Sequence, residues 1–175
     1  MRIEEDIAAL ATSHPDAGGR SLQIATAESA TAGRIVDTLT NVAGSSAYVI
    51  GGVVAYSNEA KQRLLGVEIA TLSAHGAVSK EVAREMAEGG RRALDADLCV
   101  ADTGIAGPGG ASDTKPVGLF FLALASREMC EVRQFHFDGG REANKDSAVQ
   151  AALMMLRAYL LQFDNQSGVN DYDGL

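Results

Sequence analysis

The chain is poor in the residues that usually announce a function. Aromatic residues make up only 5% of its 175 positions. A core without many rings must be assembled from Ala, Val, Leu and Ile, which suits helices packed on parallel strands. Cysteine occurs twice, at Cys99 and Cys130, far apart, each in a strand-like segment, with no C-x-x-C. Such a pair reads as two buried free thiols. The three histidines, His14, His75 and His136, do not lie at ligand spacing from one another or from a cysteine, so no zinc site is expected. There is no Lys/Arg run and the net charge is −8, which argues against nucleic acid or an anionic membrane as partner. A small anionic ligand in a locally basic pocket stays compatible with that balance. No apolar run reaches the ~20 residues of a membrane span. The opening MRIEEDIAAL is acidic where a signal peptide would be basic and then apolar, so the cytoplasm is the expected compartment. Several motifs are missing as well: no G-x-x-x-x-G-K-[ST], no G-x-S-x-G, and no dinucleotide fingerprint, since the glycine-rich loop leads into a strand and not a helix.

That loop, TGIAGPGGASDTKPVG (Thr103 to Gly118), is the most informative stretch present. It holds Gly104, Gly107, Gly109, Gly110 and Gly118 and two of the chain's three prolines, between the strand-like runs DADLCVAD and VGLFFLALA. Structureless loops of roughly 15 residues are uncommon in compact domains and are usually functional or disordered. Apolar Ile105 and Ala106, with the fixed dihedrals of Pro108 and Pro116, point to an ordered loop. Glycines let the backbone turn through positive φ and let a ligand approach bare N–H groups, which can form an anion-binding nest. A long, rigid connection is the other reading.

Around this loop the hydrophobic periodicity alternates between types. An amphipathic helix is expected over about 2–11, with Ile3, Ile7 and Leu10 on one face, ended by SHPDAGG. Leu22 to Ala27 is a short apolar strand, followed by a helix from about Thr31 to Asn41 with Ile35, Val36 and Leu39 as its buried stripe. Tyr48 to Tyr56 is a second strand, in which Gly51 and Gly52 suggest a bulge or close packing. NEAKQRLL is a short helix stopped by Gly66. Ser79 caps a longer helix with Glu81 in its first turn. DLCVAD, VGLFFLALA and EVRQFHFD are further strands, and a last helix runs from Arg141 to Phe163. In QFHFDG, Phe135 and Phe137 share one strand face and His136 takes the other as a surface residue. Strands alternating with helices, then three strands in a row, give an α/β fold: three layers, α/β/α, on a mixed, mostly parallel sheet of about five strands with an antiparallel edge strand. Residues 1–163 read as a single domain with one core. DNQSGVNDYDGL (164–175) reads as a tail too polar to pack by itself, for which a second copy of the chain, in a homodimer, is the expected partner.

Three side chains stand out as candidates for chemistry. Ser29 follows the first strand where a helix begins, so backbone N–H groups and the helix dipole favour a developing negative charge there. The position suits a nucleophile and equally a simple N-cap. Lys61 lies in the first turn of NEAKQRLL, where the dipole repels a cation. Repulsion and partial burial lower a lysine's pKa towards that of a general base; a solvated surface lysine is the alternative. Tyr56 ends the second strand five residues before Lys61, which is not the Y-x-x-x-K spacing of short-chain dehydrogenases. Taken alone it is a strand-end aromatic with its hydroxyl in water.

Four stretches together resemble one family: AESATAGRI (27–35), GSSAYVIGGVVAYSNEAKQRLLGV (44–67), AHGAVSKEVA (74–83) and TGIAGPGGASDTKPVG (103–118). They are similar to the carboxy-terminal domain of the competence/damage-inducible CinA proteins, a family whose stand-alone members include nicotinamide-nucleotide amidases. The resemblance covers most of residues 20–160. It implies hydrolysis of the carboxamide of nicotinamide mononucleotide to nicotinate mononucleotide and ammonia, with no metal and no cofactor. The family's Ser-Tyr-Lys constellation falls on Ser29, Tyr56 and Lys61. The same resemblance assigns substrate binding to Thr31, Thr103, Gly104, Gly107, Gly109, Gly110 and Lys145, with Thr103 at a hydroxyl position that is often serine. In the implied acyl transfer, Ser29 attacks the carboxamide carbon and neutral Lys61, directly or through Tyr56, takes the proton. N–H groups near Ser29 or in the Thr103–Gly104 turn hold the oxyanion, and water resolves the acyl-enzyme. Three positions depart from the family's pattern. Ala32 stands where the first of two glycines is common, Ala30 where cysteine is frequent, and Lys145 where an arginine commonly meets the substrate phosphate. Lysine keeps the charge there but not the bidentate geometry. A non-catalytic nucleotide-binding or interaction module is the alternative.

Overall fold

The computed structural model describes residues 2–13 and 20–167, those from 163 onward as backbone only; His14 and the end of the polar tail lie outside the described residues. The elements are α1 (Ile3–Ser13), β1 (Ile24–Glu28), α2 (Arg34–Thr40), a 3-10 turn (Ser45–Ala47), β2 (Val49–Val54), α3 (Asn58–Leu65), α4 (Ile69–His75), α5 (Lys80–Ala93), β3 (Leu98–Gly104), β4 (Leu119–Ala125), β5 (Cys130–His136) and α6 (Arg141–Ser167). The sheet order is β2-β1-β3-β4-β5. β2, β1 and β3 pair in parallel, β4 runs antiparallel to β3, and β5 antiparallel to β4. All strands except β4 therefore point the same way, as a mostly parallel sheet with an antiparallel side should.

Strand alternation sorts the side chains to two faces. On one, Ile24, Leu98, Val100, Leu122 and Leu124 pack against α1 (Ile7, Ala11), α2 (Ile35, Leu39) and α6 (Val149, Leu153, Leu156, Leu160). On the other, Ala25, Ala27, Cys99, Ala101, Ala123 and Ala125 meet Leu65, Leu72, Val82 and Met86 from α3, α4 and α5. That second face is built of small residues because α5 lies so close to it. A Cβ at Gly90 would come within 2.9 Å of the Ala27 Cβ and 2.8 Å of Cys99 Sγ, and one at Gly89 within 1.8 Å of the Leu65 carbonyl oxygen. The alternation also carries Thr26, Glu28 and Asp102 to the α2/α6 face at the carboxyl ends of β1 and β3. Ligands of open α/β sheets bind outside those ends.

The expected bulge and close packing in the second strand both occur. The β1–β2 register shifts between Ile24 and Ala25, and a Cβ on Gly52 would lie 2.3 Å from Thr26 Oγ1. Gly66 ends α3 in the left-handed region, and Ser79 caps α5 by accepting the Val82 N–H. α2 starts at Arg34 instead of Thr31, because Ala32 and Gly33 take φ of 56° and 94°, outside the helical range. α4 is not legible in the sequence: it has no side-chain cap and buries Leu72 alone, so it offers no periodic stripe. α6 continues through Ser167, so the first residues of the polar tail extend a helix. Both cysteines are free, and burial pushes the Cys99 thiol up strongly and that of Cys130 up to about 11. His136 is exposed, its Nδ1 3.4 Å from Asp138, while Phe135 and Phe137 stack at 5.8 Å. Among the described residues no helix is long and apolar enough to cross a membrane, and no group of three or more His, Cys, Asp or Glu is placed to hold a metal ion.

Candidate active site

β1 ends in Glu28, and the chain turns through Ser29 to Gly33 before α2 begins. A helix start leaves four N–H groups without partners. Here the buried Glu28 carboxylate partners three of them: it accepts from the N–H groups of Gly33 (2.8 Å), Ile35 (3.0 Å) and Val36 (2.9 Å). It also accepts from the hydroxyls of Thr26 (2.9 Å) and Thr31 (2.7 Å). Ser29 is thus not the cap of α2, and its hydroxyl is left for another use.

Asp102 on the neighbouring strand β3 holds the turn itself. It is fully buried and accepts the N–H groups of Ser29 (3.0 Å), Ala30 (2.9 Å) and Thr31 (3.2 Å), and it contacts the Thr31 hydroxyl. Burial pushes its carboxyl up to about 6, against the lowering effect of the Thr31 and Ser29 bonds. The N–H groups of Ser29, Ala30 and Thr31 are therefore already engaged with Asp102 and do not form the oxyanion site that the sequence allowed near Ser29. Gly104 is placed differently. Ile105 donates its N–H to the Leu119 carbonyl at 2.9 Å. In an antiparallel ladder the preceding residue then directs its N–H to the opposite edge, here the end of β1, where Ser29 sits.

The turn brings Ser29 Oγ to 2.8 Å from Lys61 Nζ. α3 is capped by the Ser57 hydroxyl on the Ala60 N–H, and the Lys61 side chain runs inward from its first turn, only 1% exposed. Nζ also lies 2.9 Å from the Ala55 carbonyl and 3.1 Å from that of Tyr56. Burial lowers the Lys61 pKa below the ordinary 10.5, opposed by the charge of Asp102. The depression expected from the sequence has desolvation as its cause, and the surface-lysine alternative is excluded. A neutral amine has two N–H donors and one lone pair. When charged, Nζ donates to Ser29 Oγ and to both carbonyls; once it is neutral, the two carbonyls can take both donors, and the lone pair then faces the Ser29 hydroxyl proton.

Tyr56 contributes its backbone and not its phenol to this contact. It is 63% exposed, and its hydroxyl does not hydrogen-bond to Ser29 or Lys61. Ser29, Tyr56, Lys61, Thr103 and Gly104 line one cavity of about 160 Å³, with Ala30, Ala77, Val78, Ala106 and Arg141. A dry cavity of about 150 Å³ holds a benzene, so the enclosed part fits one aromatic ring and anything larger must extend to the mouth. The Thr103 hydroxyl donates to the Ala77 carbonyl at 2.8 Å. Thr31 is buried behind the turn with its hydroxyl on the two carboxylates, away from the cavity lining. Gly107, Gly109, Gly110 and Lys145 do not line the cavity either. Gly107 acts one step removed, its carbonyl accepting from Arg141 Nη1 at 2.7 Å.

Sequence reading missed Glu28, Asp102, Arg141 and Asn144. Asn144 is fully buried, donates Nδ2 to the Ala106 carbonyl (3.1 Å) and accepts the Gly139 N–H (2.9 Å), tying the glycine loop to α6. The two carboxylates had a signal: each interrupts an otherwise apolar run at a strand's carboxyl end. Arg141 opens α6, four residues before the lysine on which the phosphate role was placed.

The CinA C-terminal domain profile matches residues 8–160. A CinA-like protein of Geobacter sulfurreducens is 52% identical over 142 residues, 81% of this chain and 34% of that protein. A CinA-like protein of Syntrophus aciditrophicus is 48% identical over 159 residues, 90% of this chain and 36% of that protein. The chain thus spans about a third of the length of these relatives. Among solved structures, the competence/damage inducible protein CihA from Agrobacterium tumefaciens superposes with a TM-score of 0.81 at 44% identity, covering 89% of this chain and 94% of that one. A CinA superfamily protein from Klebsiella pneumoniae superposes with a TM-score of 0.84 at 32% identity, covering 93% and 99%. With its sequence matched from α1 to the body of α6 and its sheet shared with these structures, the chain belongs to the CinA C-terminal domain family.

Proposed function

We propose that the chain is a nicotinamide-nucleotide amidase that hydrolyses the carboxamide of nicotinamide mononucleotide to nicotinate mononucleotide and ammonia. The observation that carries this reading is the 2.8 Å approach of a buried lysine amine to the hydroxyl of Ser29 at the floor of a ring-sized cavity. Ser29 attacks the carboxamide carbon as Lys61 takes its proton, and the resulting lysinium donates that proton to the departing ammonia. The Gly104 N–H, directed towards the end of β1, serves the oxyanion. Water, deprotonated by Lys61 in turn, resolves the acyl-enzyme. Arg141 at the cavity mouth suits the mononucleotide phosphate better than Lys145, because it lines the site and offers a planar fork of donors.

The test is ammonia release by the purified chain from nicotinamide mononucleotide, with nicotinamide, its riboside and NAD as comparators. Turnover is expected to be fastest with the mononucleotide and to give one nicotinate mononucleotide per ammonia. A folded chain that releases no ammonia from any of the four refutes the amidase reading. Equal rates with nicotinamide and the mononucleotide refute the phosphate contact.

A further inference from the structure

Glu28 and Asp102 form a pair of fully buried carboxylates joined through one hydroxyl. Thr31 Oγ1 lies 2.7 Å from Glu28 Oε2 and is also hydrogen-bonded to Asp102 Oδ1. A threonine hydroxyl has a single proton to donate. With both acids ionised, one of these contacts would set oxygen lone pairs against each other between two anions out of water, which is unfavourable in a buried site. A second proton removes the conflict. Carried on Asp102 Oδ1 and donated to Thr31 Oγ1, it frees the Thr31 proton for Glu28 Oε2. Glu28 is the better anion of the two, since it accepts three backbone N–H groups and the Thr26 hydroxyl besides. Asp102 is left with the three N–H groups of the Ser29–Thr31 turn.

We propose that in the acid range Asp102, Thr31 and Glu28 hold one proton beyond the threonine's own, carried on Asp102, and that Asp102, through its bonds to the Ser29–Thr31 turn, is a positioning residue for Ser29. Its three turn bonds determine where the Ser29 backbone sits, hence where Oγ meets Lys61. The charged groups around it are few. Glu28 faces it from β1 and raises its affinity for a proton, Lys61 is felt from α3, and burial dominates, with the carboxyl up to about 6. On α2, Arg34 is turned away to Glu142 and Asp146, and on α6 Lys145 makes no ion pair with either acid. The effect on turnover rests on the amidase reading above; the proton does not.

Infrared difference spectroscopy of the full chain tests the proton directly. At pH 5 the wild type should show a protonated-carboxyl stretch that shifts on 13C labelling of aspartate, is missing from Asp102→Asn, and fades as pH passes about 6. No such band in the wild-type minus Asp102→Asn difference at pH 5 overturns the proposal. Kinetics test the positioning. Thr31→Val should lower kcat on the order of a hundredfold with KM nearly unchanged, as for a misplaced nucleophile, and Thr31→Ser should recover at least about tenfold of that. Asp102→Asn, which keeps a donor for Thr31, should retain about tenfold more kcat than Asp102→Ala. Equal kcat in Thr31→Val and Thr31→Ser, or a loss confined to KM, overturns the positioning role. Should the wild type release no ammonia, the amidase reading falls and the infrared difference alone decides the proton.

Discussion

Replacing Lys61 separates a base from a fixed cation. Lys61→Met keeps an unbranched stem in the same channel and strips the amine. The Ala55 carbonyl loses a buried partner, which costs about 1–3 kcal/mol, while the Tyr56 carbonyl, in a part-buried position, regains water. Against this, a buried amine no longer has to be desolvated. The opposing effects leave net stability within about 2 kcal/mol of the parent, so the variant should fold. Turnover should fall far more. A positioned general base contributes about 10²–10⁴-fold, or about 3–5 kcal/mol of barrier. Lys61→Arg stays protonated and should be nearly as inactive, within about tenfold of Lys61→Met. In the parent, kcat/KM should rise with pH along a one-proton limb centred below 10.5, because burial lowers the Lys61 pKa. The stability counterpart has the same direction. Between the lowered folded pKa and 10.5 the unfolded chain binds more protons, so stability rises with pH there, and Lys61→Met should lose that rise. The assays are steady-state ammonia release and urea titration across pH. Substantial turnover in Lys61→Arg, above about a tenth of the parent's with the limb unchanged, would refute the base assignment.

Ser29→Ala should abolish ammonia release yet unfold within about 1 kcal/mol of the parent, since Ser29 does not cap α2 and its hydroxyl meets only Lys61 among the recorded bonds; parent-like turnover in the folded variant would remove Ser29 as nucleophile. Arg141→Ala should weaken mononucleotide binding in calorimetry more than riboside binding, whereas Lys145→Ala should affect the two ligands alike, and the reverse pattern would move the phosphate to Lys145. Asp102 carries a pKa raised from 3.8 to about 6, so the folded state binds the extra proton more tightly. Its contribution, about 3 kcal/mol for about two units, is complete below pH 3.8 and is lost as pH rises through about 6; Asp102→Asn should flatten that slope in denaturant titrations. Gly89→Ala puts a Cβ 1.8 Å from the Leu65 carbonyl oxygen. It should cost about 3 kcal/mol or more and lower Tm by about 6–12 °C in calorimetry; an unchanged Tm would show that α3 and α5 are free to separate.

The sequence by itself determined the elements whose signals are local. The short apolar, strand-like runs became β1 to β5, Ser79 began and Gly66 ended helices where their preferences put them, and the glycine pair of β2 marked a real irregularity. α4 escaped because one buried leucine makes no periodic stripe. Ser29 and Lys61 were also legible, each from its place at the start of a helix, and a resemblance carried by ordered motifs joined them. What no local signal contains is which strands become neighbours. Only the parallel pairing of β1 with β3 brings Asp102 under a turn 73 residues earlier in the chain, where it claims the N–H groups that an isolated strand-to-helix turn would offer a substrate. The fold likewise buried Lys61, left Tyr56 largely exposed and placed Arg141, not Lys145, at the cavity. Desolvation, which governs the Lys61 and Asp102 proton affinities, comes from everything packed around a group, so it exists only once the three layers have closed.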